Sequence, residues 1–211
     1  MLRTIAFAAL LAAGSLTVAF ADQSPSYSGP LSPREAAFVA SIQKDLMARF
    51  PTAADAVRAG YIRYTNADET GAISYADLHW QSSDPRHPSQ LWYDRGGHLL
   101  GADFSVLKTG DTRPSIFGCN PGRDYEFDDH VHYVLTSGHR YDNWVLASDW
   151  HPKSGHDTAH ATAQDLVQMG KVKSASEVAT VFDFPSIWDL IVWVKPNPDG
   201  AFAEKNPNVK S

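Results

Sequence analysis

The central part of this chain consists of short aromatic or β-branched segments separated by turn-forming residues. Between residues 61 and 148 they read YIRYTN, AISYADLHW, SQLWYDR, HLLGADFSVL, DHVHYVL and NWVLAS. Runs of this length and composition, bounded by Gly, Pro, Asp and Asn, are typical of β-strands. The paired glycines of DRGGH suit a tight hairpin turn, which needs positive φ angles. The sequence therefore predicts a mostly antiparallel sheet.

Helical signals lie on both sides of these strands. Ser32 is a good N-cap, and the apolar residues that follow it recur at helical spacing. Residues 156–170, HDTAHATAQDLVQMG, return to the helical period and end at a glycine. Ser174 and Glu177 match a capping box, which predicts a further helix through Phe182.

The last regular segment, SIWDLIVWV, is apolar at both odd and even positions. A strand with two apolar faces belongs in the interior of a sheet that is covered on both sides. The pattern as a whole predicts an α+β fold with N-terminal helices, a mostly antiparallel sheet and a helical insertion before a central last strand. The chain contains no G-x-G-x-x-G or Walker sequence, so nothing indicates nucleotide binding.

The N-terminus has the pattern of a secretory signal peptide. Arg3 supplies the positive charge, an apolar run follows, and Ala19-Phe20-Ala21 matches an A-x-A cleavage site. The apolar run is shorter than the roughly 20 residues that a membrane span requires. We therefore predict a signal peptide at 1–21, a flexible Ser/Pro/Gly-rich lead-in at 22–31, and one α+β domain at 32–211. The mature protein is expected to be exported, to the periplasm or the extracellular space.

Charge and cysteine content narrow the classes of partner. The formal net charge is −6, and no run of lysines or arginines is present. Such a chain has no electrostatic reason to bind nucleic acid or an anionic membrane. After signal cleavage no integral membrane segment is expected. The single cysteine, Cys119, rules out an intrachain disulfide, and no neighbouring base indicates a reactive thiol.

The C-terminal half carries a resemblance to a known group of proteins. The segments QLWYDRGGHLLGADFSV, PSIFG and IWDLIVWVKPNPDGAFAEKNPNV resemble those of small secreted bacterial proteins of unassigned function. Those proteins end in a Trp-containing strand followed by N-P-x-G-x-F-x-x-x-N-P-x-V. Where they tend to carry histidine before the Val-Trp of the strand, this chain has Ile191. The resemblance implies an exported, single-domain α+β protein and no particular activity.

A histidine pair in the predicted strand DHVHYVL is the first candidate site. Residues two apart on a strand share a face, so Asp128, His130 and His132 are expected on one side. Two imidazoles and a carboxylate form the ligand set of many zinc and non-haem iron sites. The same alternation also describes a half-exposed strand whose polar face is in water. Both interpretations are open at the level of sequence.

A second histidine cluster follows in DWHPKSGHDTAH. It contains His151, His156 and His160, and six of the nine histidines of the chain fall between 130 and 160. If the strand and the following helix pack together, this cluster can complete the site begun by His130 and His132. The alternative is that these histidines are simply solvated.

The predicted site favours a divalent metal, and zinc or copper suits imidazole-rich ligands. H-E-x-x-H and G-x-S-x-G are both absent, so no catalytic motif assigns a reaction. The sequence neither supports nor excludes an enzyme.

Two alternatives belong to other classes of function. Trp144 and Trp150, flanked by polar residues, can line a pocket for a small molecule, since such pockets are typically aromatic with a few polar groups. The other alternative is a structural or partner-binding envelope protein without a site of its own.

Overall fold

The computed structural model describes residues 27–67, 71–77, 79, 84–137 and 143–209. The predicted signal peptide and the first half of the lead-in lie outside these ranges. Four α-helices occur within them: α1 (Pro33–Arg49), α2 (Ala53–Arg58), α3 (Ala147–Ser154) and α4 (Ala163–Gln168). None of these described helices is long and apolar enough to cross a membrane.

The strands of the described residues form two sheets in which every pairing is antiparallel. The strands are β1 (Ile62–Arg63), β2 (Ile73–Ala76), β3 (Gln90–Tyr93), β4 (Leu99–Leu107), β5 (Tyr125–Phe127), β6 (His130–Leu135), β7 (Asn143–Leu146), β8 (Val178–Phe184) and β9 (Ile187–Trp193). The large sheet has the order β1-β2-β3-β4-β9-β5, and the small sheet has the order β7-β6-β8.

Helix α1 covers one face of the large sheet. It begins at the predicted cap: Ser32 accepts a hydrogen bond from Glu35 N, and the Glu35 carboxylate accepts one from Ser32 N. Its buried stripe, which includes Val39 and Leu46, packs against a core that contains Phe104 of β4. This packing provides most of what holds the helix in place, because short helices gain little stability from propensity alone.

Strand β9 lies between β4 and β5, and all seven of its residues are buried. Seven consecutive residue pairs connect it to β4, from Gly101↔Trp193 to Leu107↔Ile187. Gly101 permits this approach, because a Cβ atom there would lie 2.9 Å from the Val192 carbonyl oxygen. The predicted position of the last strand, inside the sheet and covered on both faces, is confirmed.

The small sheet packs on the face of the large sheet that is opposite α1. Phe182 and Phe184 of β8 share a buried cluster with Ala76 and Ile187 of the large sheet. The outer face of the small sheet is covered by helical residues, because Val131 packs with Trp150 of α3 and Leu166 of α4, among others. The inner face of β6 therefore lies between two sheets.

The α+β class and the mostly antiparallel pairing are confirmed, whereas one predicted helix is wrong. Ser174 caps a 3-10 turn at Ala175–Glu177, which ends at Glu177, and the chain then continues as strand β8. Phe182 and Phe184 of β8 are buried, and the strand pairs with β6 over six positions. A local capping signal was overridden here by strand pairing between residues far apart in sequence.

Candidate functional site: a polar layer between the two sheets

The two histidines of β6 are buried between the sheets. His130 is 4% exposed and His132 is 6% exposed. Each imidazole stacks on the phenylalanine directly across from it on β8. His130 lies on Phe184 with centroids 4.9 Å apart, and His132 lies on Phe182 with centroids 5.5 Å apart. The polar face of this strand is therefore not in water, which removes the half-exposed alternative that the sequence left open.

The two imidazoles point their Nε2 atoms at each other across 3.1 Å. The Nδ1 atom of His130 lies 2.5 Å from the carbonyl oxygen of Asp128. A carbonyl only accepts, so Nδ1 of His130 carries the proton, and its Nε2 presents a lone pair. A backbone partner of this kind orients a metal-binding imidazole and fixes its tautomer in many metalloproteins.

Burial keeps both rings neutral. It lowers the pKa of His130, and the Asp128 carbonyl and the Asp129 carboxylate offset only part of that effect. Burial and the neighbouring His130 lower the pKa of His132 well below its usual value, although the backbone of Asn143 opposes this. Nδ1 of His132 makes no hydrogen bond within the described residues. Neutral imidazole is the form that coordinates a metal.

The other predicted ligands lie elsewhere. Asp128 precedes β6, is exposed, and contributes its carbonyl rather than its carboxylate. Within the described ranges, no three His, Cys, Asp or Glu side chains come close enough together to hold a metal ion. The structure thus brings His130 and His132 together without a third such ligand from the described residues.

The 151–160 histidines form local contacts around α3 and the turn that follows it. Nδ1 of His151 lies 3.2 Å from the carbonyl oxygen of His156. Nε2 of His156 lies 2.9 Å from the Asp165 carboxylate, and Nδ1 of His160 lies 2.5 Å from Asp157. The Asp157 carbonyl and the Asp165 carboxylate raise the pKa of His156. All three contacts lie within the helical insertion, so these histidines hold the insertion together and do not join His130 and His132.

The two predicted pocket tryptophans lie on opposite faces of the small sheet. Trp144 pairs directly with His132, and its ring centroid lies 6.2 Å from that of His130. Trp150 is fully buried in the outer cluster with Val131 and Leu166. The two rings therefore do not line one pocket together. Of the two tryptophans, only Trp144 borders the histidine pair.

A second polar group lies on the large sheet and was missed from the sequence. Phe104 and Leu190 face the α1 core, so Asp103 and Ser105 of β4 and Asp189 of β9 face the small-sheet side. Asp103 and Asp189 are each 2% exposed, and Ser105 is fully buried. The sequence contained a signal for this group, namely Asp189 within the apolar segment SIWDLIVWV. An acidic residue in a buried strand usually has a partner.

Both buried carboxyl groups favour the neutral form. Burial raises the pKa of Asp189 to about 7. Burial, together with the neighbouring Asp189, raises the pKa of Asp103 well above its usual value. One oxygen of each carboxyl group lacks a hydrogen-bond partner within the described residues.

Tyr64 connects the carboxyl side of the layer to the histidine side. Its hydroxyl donates to the side-chain oxygen of Gln90, which pairs across the strands with Asp103. Its ring packs edge-on against His132. The inter-sheet layer thus contains two imidazoles, two carboxyl groups, an amide, a phenol and a hydroxyl.

A cavity and the single cysteine concern two other possible functions, small-molecule binding and thiol chemistry. A cavity of about 370 Å³ lies where residues 27–31 approach residues 198–204, with Arg123 and Tyr125 in its lining. The guanidinium of Arg123 is already neutralised by Glu35, at 3.1 Å. Cys119 is buried, and burial raises the pKa of its thiol to about 11, as expected of a passive cysteine.

Comparison with known proteins adds no assignment: the chain matches no family model, no curated protein and no solved structure.

Proposed function

We propose that this protein binds a divalent transition-metal ion, zinc or copper, through the imidazoles of His130 and His132. The observation that carries the proposal is the 3.1 Å separation of the two Nε2 atoms. Two nitrogens bound to one zinc ion at about 2.0–2.1 Å with a tetrahedral angle lie roughly 3.3 Å apart. The pair is thus close to the spacing that one ion requires.

The protein around the pair supports the same conclusion. The Asp128 carbonyl holds His130 in the tautomer whose Nε2 carries a lone pair, which faces Nε2 of His132 in this structure and would coordinate the ion. Phe182 and Phe184 hold both rings against rotation, so little ordering entropy would be lost on binding. A metal ion with two imidazole ligands keeps coordination positions for water or a small ligand, as in sites that are not purely structural.

The proposal assigns no reaction. The protein is also proposed to be exported, which the signal-peptide pattern of residues 1–21 supports. Imidazole ligands favour zinc, copper or nickel over hard cations, so the proposed class is a transition metal.

The test is metal retention after loading with zinc or copper and removal of the excess. His130→Gln and His132→Gln each replace a ligand by a neutral polar side chain, and His98→Gln is the matched control at an exposed histidine. We expect about one equivalent in the parent and in His98→Gln, and loss in both strand variants. Circular dichroism confirms that the variants are folded. Retention in both β6 variants, or no binding by the saturated parent, would overturn the proposal.

A further inference from the structure

Asp103, Ser105 and Asp189 form a compact group of oxygen atoms on two neighbouring strands. Ser105 pairs directly with Asp189, which places their Cβ atoms about 4.5–5.5 Å apart. Asp103 is two residues from Ser105 on the same face, so it lies diagonally across from Asp189. Seven consecutive pairs between β4 and β9 hold all three positions rigidly.

These oxygen atoms lack the partners that buried polar atoms normally have. Oδ1 of Asp103, Oδ1 of Asp189 and Oγ of Ser105 have no hydrogen-bond partner of acceptable geometry within the described residues. The Ser105 hydroxyl lies beside the Asp189 carboxyl group and lowers its pKa, but burial outweighs this effect. Most buried polar atoms of native proteins are satisfied, so three together indicate a further partner.

The missing partner is expected to carry positive charge. No cationic side chain of the described part of the chain acts on the pKa of either carboxyl group. Two carboxylates in an apolar environment must be neutralised by protons or by a cation, because an isolated buried charge is too costly. A proton shared between the two carboxyl groups would satisfy one oxygen atom of each, whereas a divalent cation can also take the Ser105 hydroxyl.

We propose that Asp103, Ser105 and Asp189 bind a hard divalent cation of the Ca²⁺, Mg²⁺ or Mn²⁺ class. All three donors are oxygen atoms, which is the ligand preference of hard cations. Two carboxylates match the charge of a divalent ion, and the serine hydroxyl is on the same face, directly across from Asp189 and two residues from Asp103. The site is independent of the His130–His132 pair, whose nitrogen ligands suit a different class of metal.

Proton competition gives the site a specific signature. The carboxyl groups must ionise to bind the cation, so binding is expected to be strong at pH 8 and lost at pH 5. Oxygen sites of extracellular modules typically bind with dissociation constants of about 10⁻⁴–10⁻³ M. A titration to about 10 mM cation therefore covers the expected range.

The experiment is Mn²⁺ titration of the chelator-stripped protein, followed by electron paramagnetic resonance, with Ca²⁺- and Mg²⁺-induced shifts of the unfolding temperature as the second readout. Asp103→Asn and Asp189→Asn are the test variants. They are expected to fold, because an amide resembles the neutral carboxyl group. His130→Gln/His132→Gln and the exposed-site variant Asp199→Asn are the controls.

We expect about one Mn²⁺ to bind at pH 8 in the parent and in both controls. The affinity is expected to be at least tenfold weaker in each Asn variant, which is about the loss seen when groups of a metal site are removed. Three results would overturn the proposal: no Mn²⁺ binding by the parent, binding unchanged in both Asn variants, or binding lost in the double histidine variant. The last of these would place the ion at the histidine pair instead. Zinc retention reports on the histidine site separately, so either proposal can fail without the other.

Discussion

The ring of Tyr64 meets the imidazole of His132 edge-on, with centroids 4.8 Å apart and 76° between the planes. Tyr64 lies in the chain between β1 and β2, at one edge of the large sheet, and His132 lies on the central strand of the small sheet. This contact crosses the inter-sheet space and shows that the histidine pair faces the large sheet. It also makes Tyr64 a residue whose hydroxyl and ring have separable roles.

Removing the hydroxyl of Tyr64 is expected to cost stability but not metal binding. In Tyr64→Phe the ring contact with His132 remains, whereas the buried side-chain oxygen of Gln90 loses its donor. An unsatisfied buried acceptor costs about 1–3 kcal/mol. Urea unfolding measures this loss, and metal retention should equal that of the parent. An unchanged free energy of unfolding would show that Gln90 finds another partner.

The pH dependence of stability is expected to depend on Asp189. Its pKa is about 7 in the folded protein against 3.8 for an ordinary aspartate, so the folded state binds more protons than the unfolded state between these values. Stability should therefore fall as pH rises from about 4 to about 7, by at most roughly 4 kcal/mol. Asp189→Asn should flatten this fall and be more stable than the parent at pH 8.

Urea unfolding at a series of pH values in chelator tests this prediction. Asp183, whose pKa is raised to about 6, mainly by burial, contributes a similar fall in both proteins. The difference between parent and variant therefore reports on Asp189 together with Asp103, whose pKa the neighbouring Asp189 also raises. Equal slopes in the two proteins would contradict the prediction.

The sequence predicted the elements better than their contacts. The cap at Ser32, the interior position of β9 and the strands other than β5 and β8 follow from spacing and composition, which are local properties. The division into two sheets depends on which distant strands pair, and no local pattern reports that. The prediction of a helix after Ser174 was wrong for the same reason, because the backbone of β8 pairs with the distant strand β6.

The candidate site was predicted only in part, for related physical reasons. The alternation in DHVHYVL correctly put His130 and His132 on one face, but it describes a solvent-facing strand equally well. That face is covered by β8, which follows His132 by about 50 residues, and by Tyr64, which precedes it by about 70 residues. Asp189 was overlooked because one acidic residue hardly changes an otherwise apolar segment, although it changes the chemistry of the core.

Cys119 is expected to be unreactive in the folded protein. It is 2% exposed, and burial and the Glu35 charge raise the pKa of its thiol to about 11. Because the thiolate is the reacting form, alkylation at pH 8 should be at least about a hundredfold slower in the native protein than in urea. Mass spectrometry after timed iodoacetamide treatment measures the two rates. Comparable rates would mean that the loop at Ile116–Gly118 opens readily.

The ion pair between Glu35 and Arg123 is expected to be the most sensitive polar contact outside the inter-sheet layer. It joins the start of α1 to the segment before β5, with side chains 3% and 6% exposed. Burial alone would raise the pKa of Glu35, but Arg123 and the backbone N–H groups of Ser32 and Asn120 outweigh it and lower the pKa to about 2. The carboxylate is therefore charged and buried at neutral pH.

Arg123→Met should destabilise the protein by about 3–5 kcal/mol, because it leaves that carboxylate buried without its partner. Glu35→Gln/Arg123→Met should be more stable than Arg123→Met, since the second substitution removes the uncompensated charge while keeping a side chain that can cap Ser32. Arg58→Met, which breaks an exposed pair with Asp55, is the control and should change stability little. Urea unfolding of the parent and the three variants measures these differences in the free energy of unfolding. If the double variant is less stable than Arg123→Met, the pair acts mainly through hydrogen-bond geometry rather than through charge.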